Sequence, residues 1–284
     1  MKNKILTFLI FVLTLMVFNS AIIQSQEYKV QEIKVDTIKT PKTKTITIVT
    51  VWTIPKFMVQ FNASYLAGAM ELSAHNGGFS RDDFNLGKSF CARNGFGFNL
   101  SGKMPLHKQG NLWLDVTGYY NRFVSNLIAN NTTEGKVSYN AFGGGIGLDY
   151  NFTPNHKVKY YIGGNALFSV IGGSATLYYP DAADSILNVK INNGFRIGYS
   201  LFTGIEYAVD KNFGINVGLK YTHLNLLLKK STTVTNSDVM DLNDNSVNPP
   251  QLYTGWKQFA YSSAYLGFSY YFSVKELRYK LPEK

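Results

Sequence analysis

The sequence predicts an all-β fold: a closed, antiparallel, up-and-down barrel of about eight strands whose outer wall faces lipid. Three observations predict it. Segments between Phe57 and Phe272 alternate apolar with small or polar residues at period two. Their connections alternate between short turns and long polar stretches, an asymmetry that a soluble sandwich has no reason to show. The composition, with 19 Tyr, 20 Phe and 25 Gly but only 16% charged residues, supplies interfacial rings and a crowded interior.

The same numbers exclude other classes. A mean hydropathy of −0.08 is too low for a bundle of membrane helices. The net charge of +10 is scattered, with no Lys/Arg block interleaved with aromatics, so a nucleic-acid partner is not expected. Cys91 is the single cysteine, which rules out an internal disulfide and a cysteine zinc site.

Residues 1–25 read as a secretory signal: Lys2 and Lys4 lead, Ile5–Phe18 is apolar, and Ser25 is a small residue before cleavage. Residues 26–56 form a periplasmic N-terminal segment. Within it Thr45–Ile54 has high β-propensity, but its alternation breaks at Ile48-Val49. Two readings of it stand: a strand pairing with another edge, or a linker ended by Pro55.

The barrel is expected over residues 57–272. Phe57–Tyr65 alternates, and Gly68–Ser89 is a long connection. Phe96, Phe98 and Leu100 alternate with Gly97 and Asn99, and Pro105–Asn111 is rich in turn formers. Leu112 to Arg122 rises to a loop at Ser125–Lys136. Phe142 to Tyr150 descends through glycines to the turn Thr153–His156. Val158 to Val170 climbs to a long connection, Gly172–Asn193. Phe195 to Tyr207 descends, Asp210–Asn212 turns, and Phe213 to Tyr221 ascends to the longest connection, Asn225–Lys257. A ten-strand count, using Thr45–Ile54 or loop segments, fits the same pattern. Residues 273–284 are a periplasmic tail.

The last strand, Ala260–Phe272, carries the clearest signal. Ala264, Leu266, Phe268, Tyr270 and Phe272 form one face, opposite Tyr261, Ser263, Tyr265, Gly267, Ser269 and Tyr271. The stretch resembles the C-terminal strand of outer-membrane β-barrel proteins, which ends in an aromatic residue read by the barrel-assembly machinery. Here Leu266, Phe268, Tyr270 and Phe272 would be that assembly signal, although Ser273–Lys284 follows it. As a whole, Phe57–Phe272 resembles the small outer-membrane β-barrel family, the OmpA/OmpX-like transmembrane barrels. The resemblance implies a Gram-negative outer membrane, with lipid and lipopolysaccharide as surroundings and long loops outside. It carries no periplasmic peptidoglycan-binding domain.

Outward aromatics fall at two levels. Phe57, Tyr150, Tyr160, Tyr207, Phe213 and Tyr270 mark one girdle, and Tyr65 and Tyr221 lie at the other. Strand parity sends Lys103, Asp115, Asp149, Lys159, Glu206 and Lys220 inward. Because unpaired buried charges are costly, Lys103–Asp115 and Asp149–Lys159 are expected to pair across short hairpins. Inward glycines leave room for Trp113, Tyr119, Tyr161, Phe202 and Tyr265, so the lumen is expected to be filled.

Catalytic and phosphate-binding signatures are lacking. Asp241–Asn245 has calcium-like oxygen spacing without the EF-hand glycine and glutamate, so no metal is expected. His223 and Ser262 face outward by parity, but no carboxylate orients the imidazole. The expectation is therefore a non-enzymatic module without cofactor that presents extracellular loops to an envelope or extracellular protein. A small solute channel and a lipid-facing enzyme acting on lipid A are the alternatives.

Overall fold

The computed structural model describes residues 48–73, 89–129, 132–179, 185–229, 239–240 and 258–280. The signal segment and Asp241–Asn245 lie outside them. The strands are β1 (Ile48–Trp52), β2 (Phe57–Ala69), β3 (Asn94–Pro105), β4 (Leu112–Ala129), β5 (Thr132–Asn151), β6 (Val158–Tyr179), β7 (Ser185–Ala208), β8 (Phe213–Leu227), β9 (Val239–Met240), β10 (Ala260–Phe272) and β11 (Glu276–Lys280). Eight of them close a ring in the order β2-β3-β4-β5-β6-β7-β8-β10, with β10 returning to β2. All pairings around the ring are antiparallel. Closure leaves no barrel edge with unpaired backbone groups. β9 adds a short parallel pairing to β7. β1 pairs with β11 in a separate two-stranded sheet and contributes nothing to the ring, so the strand count is eight.

Turn chemistry sets the short connections. Asp210 Oδ1 accepts from the backbone N–H groups of Asn212 and Phe213, at 2.6 and 2.8 Å, and so holds the β7–β8 turn. Gly110 takes φ +72° in the β3–β4 turn, a conformation that costs glycine little, and its carbonyl accepts from Trp113 Nε1 at 2.7 Å. Thr153 Oγ1 accepts from the N–H of Tyr160 and donates to the Val158 carbonyl across the β5–β6 turn.

The described parts of an expected loop and of an expected long connection are strand instead. β4 reaches Ala129 and β5 starts at Thr132 within Ser125–Lys136, and β6 reaches Tyr179 and β7 starts at Ser185 within Gly172–Asn193. β4 to β7 therefore have 18, 20, 22 and 24 residues, whereas β2, β3, β8 and β10 have 13, 12, 15 and 13. Bulges at Leu127/Ile128 and Ile171/Gly173 absorb register changes in this taller wall.

The reason lies in a reversal of polarity along each tall strand. On the lower part of β5, Phe142, Ile146, Leu148 and Tyr150 point outward and Asp149 points inward. Parity then continues unchanged, but Val137, Tyr139 and Ala141 are fully buried inside while Lys136 stands exposed. β6 does the same, with Phe168 exposed below and Ile171 and Leu177 buried above, whereas β7 changes phase at the Ile171/Gly173 bulge, so that its odd positions point outward at Phe195 and inward at Val189 and Ile191. The lower zone is apolar outside and polar inside. The upper zone is apolar inside, and Phe90, Ala92 and Phe259 from the connections join its core.

The outer wall of the lower zone is a continuous apolar belt. Leu219, Leu266, Leu201 and Leu100 are 63%, 62%, 58% and 56% exposed, far beyond the apolar patch of an ordinary soluble monomer. On β2 the belt runs from Phe57 to Tyr65, which fits the roughly 9–11 tilted residues a membrane strand needs.

Candidate functional site

The barrel interior holds the chemistry-bearing residues. At its lower end Glu206 accepts from four side chains. Lys159 Nζ and Tyr271 OH reach Oε1 at 3.1 and 2.7 Å, and Ser269 Oγ and Gln60 Nε2 reach Oε2 at 2.5 and 3.5 Å. Lys103 Nζ donates to Asp149 Oδ2 at 2.6 Å and lies 5.1 Å from the Tyr161 ring centroid. Both members of this pair are almost fully buried. Lys159 also sits 4.3 Å over the Tyr271 ring.

These partners differ from the hairpin pairs expected from the sequence. Lys103 and Asp115 are Cα partners across β3–β4, yet the ammonium bonds to Asp149, one strand further on. Asp115 instead accepts from Asn165 Nδ2 at 3.1 Å. Asp149 lies opposite Gly163, so Lys159 is four residues too low to face it and stands opposite Glu206 instead. Turn length set these registers, because β5 and β6 begin pairing only at Asn151 and Tyr161. Among the described residues, Lys220 joins no ion pair. Its Nζ lies 5.7 and 5.8 Å from the Phe202 and Tyr265 ring centroids.

Above the charges, amides and hydroxyls connect strands. Asn62 Nδ2 donates to Asn99 Oδ1 at 3.1 Å, Asn99 Nδ2 donates to Thr117 Oγ1, and Ser101 Oγ donates to the same oxygen at 3.0 Å. Polar cavities of about 20 Å³ each lie beside Lys103 and Glu206 and beside Lys220 and Asn165. Each has room for about one water. Tyr161, Phe202 and Tyr265 stand between them, and the two tyrosine hydroxyls are hydrogen-bonded at 3.0 Å. Glycines make the rings fit: a Cβ on Gly204 or Gly218 would fall closer than 3.0 Å to Tyr161 or Tyr265. Below, Met58, Trp113, Ala208 and Tyr271 pack with Trp52, Ile54 and Val274 to cap the lower end.

The aromatic residues singled out in the sequence lie on the outer wall at two levels. Phe57 faces Phe272, Tyr270 faces Phe213, and Val158 faces Tyr207 on the lower rungs, where Tyr150 and Tyr160 are also exposed. Tyr65 and Tyr221 lie at the upper level, with Tyr65 opposite Phe96. Leu266, Phe268, Tyr270 and Phe272 alternate outward along β10, with a ring separation of 4.8 Å between the last two. His223 is only 7% exposed and packs 5.8 Å from the Tyr199 ring, contrary to the outward exposure parity suggested. It lies opposite Ala260, whereas Ser262 lies opposite Tyr221, so the two do not share a rung.

Sequence reasoning missed the upper core. Val137-Tyr139-Ala141 and Leu187-Val189-Ile191 have period two and were the available signal. On β5 the apolar phase switches from the even positions of the lower segment to the odd ones, which made it look like an interruption; on β7 the phase is unchanged in sequence, and the bulge moves it to the inner face.

No protein-family model matches the chain, and no curated protein matches it. Among solved structures, Neisserial surface protein A is similar over 76% of this chain and 96% of its own, with 16% identity and a TM-score of 0.39. The outer membrane protein OprG from Pseudomonas aeruginosa is similar over 81% and 98%, with 8% identity and a TM-score of 0.41. The attachment invasion locus protein Ail of Yersinia pestis is similar over 79% and 99%, with 10% identity and a TM-score of 0.35. Likeness at this level adds nothing to the fold already read from strand order and register.

Proposed function

We propose that the chain is an integral outer-membrane β-barrel that acts as a structural or interaction module, with a filled lumen and its connections presented outside the cell. One observation carries this reading: the outer wall is apolar where the lumen is charged, and among the described residues that lumen is occupied by ion pairs and rings, with cavities of only about 20 Å³ beside Lys103 and beside Lys220. An apolar wall of this extent favours lipid contact, and the lateral partners are then outer-membrane lipid and lipopolysaccharide. The alternating outward residues of β10, ending at Phe272, support recognition by the barrel-assembly machinery. The rigid upper zone is a suitable base for loops that bind an envelope or extracellular protein.

Gel mobility of the membrane fraction, with and without boiling, tests insertion. A heat-dependent shift is expected, and recovery as a soluble periplasmic protein would sink the idea. Planar bilayers test the filled lumen. Only sporadic small currents are expected, and a reproducible large conductance would favour the channel instead. The separation of His223 from Ser262 argues against a lipid A enzyme, which would have to change lipid A mass on expression and lose that change in His223→Ala.

A further inference from the structure

The outer face of the tall wall changes character immediately above the belt. The last belt rungs carry Tyr120, Phe142, Phe168 and Phe195. The next outward positions carry Arg122 and Asn140, which are Cα partners. Above them come Ser138, Ser174 and Lys190 on successive strands, then Asn126, Lys136, Thr176 and Asn188. Arg122, Lys136 and Lys190 are all exposed. With strands about 4.8 Å apart, the three cations fall on a patch roughly 15 Å across.

The surface between them is made of neutral donors and acceptors, with Val124 the apolar residue on the Ser138 rung. Tyr120 OH donates to Asn140 Oδ1 at 2.8 Å, Thr176 Oγ1 donates to Asn188 Oδ1 at 3.1 Å, and the Ser138 and Ser174 hydroxyls are 3.3 Å apart. Among the described residues, Glu134 is the one carboxylate at an outward position of β4–β7, and it sits at the upper rim, two residues above Lys136. The short wall has no such patch, since the outward positions of β2, β8 and β10 carry no Lys or Arg.

We propose that this patch binds the phosphorylated headgroup of an outer-leaflet glycolipid whose acyl chains lie along the apolar belt beneath it. The proposal rests on the membrane reading above. Charge complementarity selects the phosphate, because Arg and Lys at the rim of a belt attract anionic headgroups. Position selects a lipid over a soluble polyanion, because Arg122 stands directly above the apolar rungs, with Lys190 one rung and Lys136 two rungs higher, all below the strand tips. The tips carry Ile128, Tyr178 and Ile186, exposed by 43%, 44% and 57%.

The test uses the full chain refolded in detergent. Binding is measured with diphosphorylated lipopolysaccharide, with the same lipid stripped of phosphate, and with inositol hexakisphosphate as an acyl-free polyanion. The variant is Arg122→Gln/Lys136→Gln/Lys190→Gln, and Lys108→Gln/Lys211→Gln removes charge from the opposite turns as a control. The triple variant is expected to lose about 100-fold in affinity for the phosphorylated lipid, about 1 kcal/mol for each charge. The control variant and the stripped lipid are expected to show no such loss. A triple variant that binds within threefold of the parent, while keeping its heat-dependent gel shift, overturns this proposal alone. Equal affinity for inositol hexakisphosphate also overturns it and makes the patch a polyanion site. A parent chain with no gel shift overturns the membrane reading and this proposal with it.

Discussion

The lower and upper zones of the barrel share the same strands and antiparallel pairing, yet they are built inside out with respect to one another. Below, Lys103, Asp149 and Glu206 are buried and Leu219 and Leu266 are exposed; above, Val137, Ile171 and Leu177 are buried and Lys136 and Lys190 are exposed. Apart from the bulge that turns β7 over, backbone geometry does not distinguish the zones. On the membrane reading proposed above, the medium outside does. Where hydrocarbon surrounds the wall, apolar side chains gain nothing by turning inward, and the lumen takes the polar groups. Where water surrounds it, the hydrophobic effect restores an ordinary core, worth about 1.5–3 kcal/mol for each fully buried large side chain.

Three substitutions test that contrast, in descending order of effect. Phe259→Ala removes a ring lying 5.6, 5.5 and 5.7 Å from Phe90, Phe123 and Tyr139 in the upper core. It should cost about 3–5 kcal/mol in urea unfolding from lipid vesicles. Phe268→Ala, which removes an outward ring from the belt, should cost far less. Equal losses would mean that the belt is not in hydrocarbon.

Next comes the lower network. Lys103→Met leaves the Asp149 carboxylate buried without its cation and should cost about 3 kcal/mol. Lys103→Met/Asp149→Leu removes both charges and should recover most of that loss. Similar unfolding midpoints for the single and double variants would show that the pair is not isolated from water. The smallest effect is Tyr161→Phe, which deletes the hydrogen bond to Tyr265 at 3.0 Å and should cost about 1 kcal/mol. A rise in bilayer conductance in that variant would show that the tyrosine pair is the barrier between the two cavities.

The belt was legible in the sequence because each strand segment between Phe57 and Phe272 alternates with one apolar phase along its lower part. The inward direction of the six charged lumen residues was legible from the same parity. Their partners were not. Pairing depends on stagger between strands, and a shift of a few residues moved Lys159 from Asp149 to Glu206. Asn165, Ser269 and Gln60 are lumen partners that no local pattern marks, since each meets its carboxylate across a long separation in sequence. The extent of β4–β7 was hidden by composition: Ser125–Lys136 and Gly172–Asn193 are rich in Ser, Thr, Asn and Gly, and consecutive apolar residues such as Leu127-Ile128 and Ile186-Leu187 break their alternation.

The seam between β2 and β10 has a kinetic consequence. Its register runs without a break from Phe57↔Phe272 to Ala69↔Ala260, joining the first and last strands of the ring. Contacts of such long sequence separation form slowly, because loop closure must precede any gain from pairing. Until β10 is made, β2 and β8 each present an open edge, and such an edge is a template for aggregation. The final strand is thus a latch on both neighbours at once. A chain cut short before Ala260 would lose two pairings, and its remaining strands would form an open sheet rather than a smaller barrel.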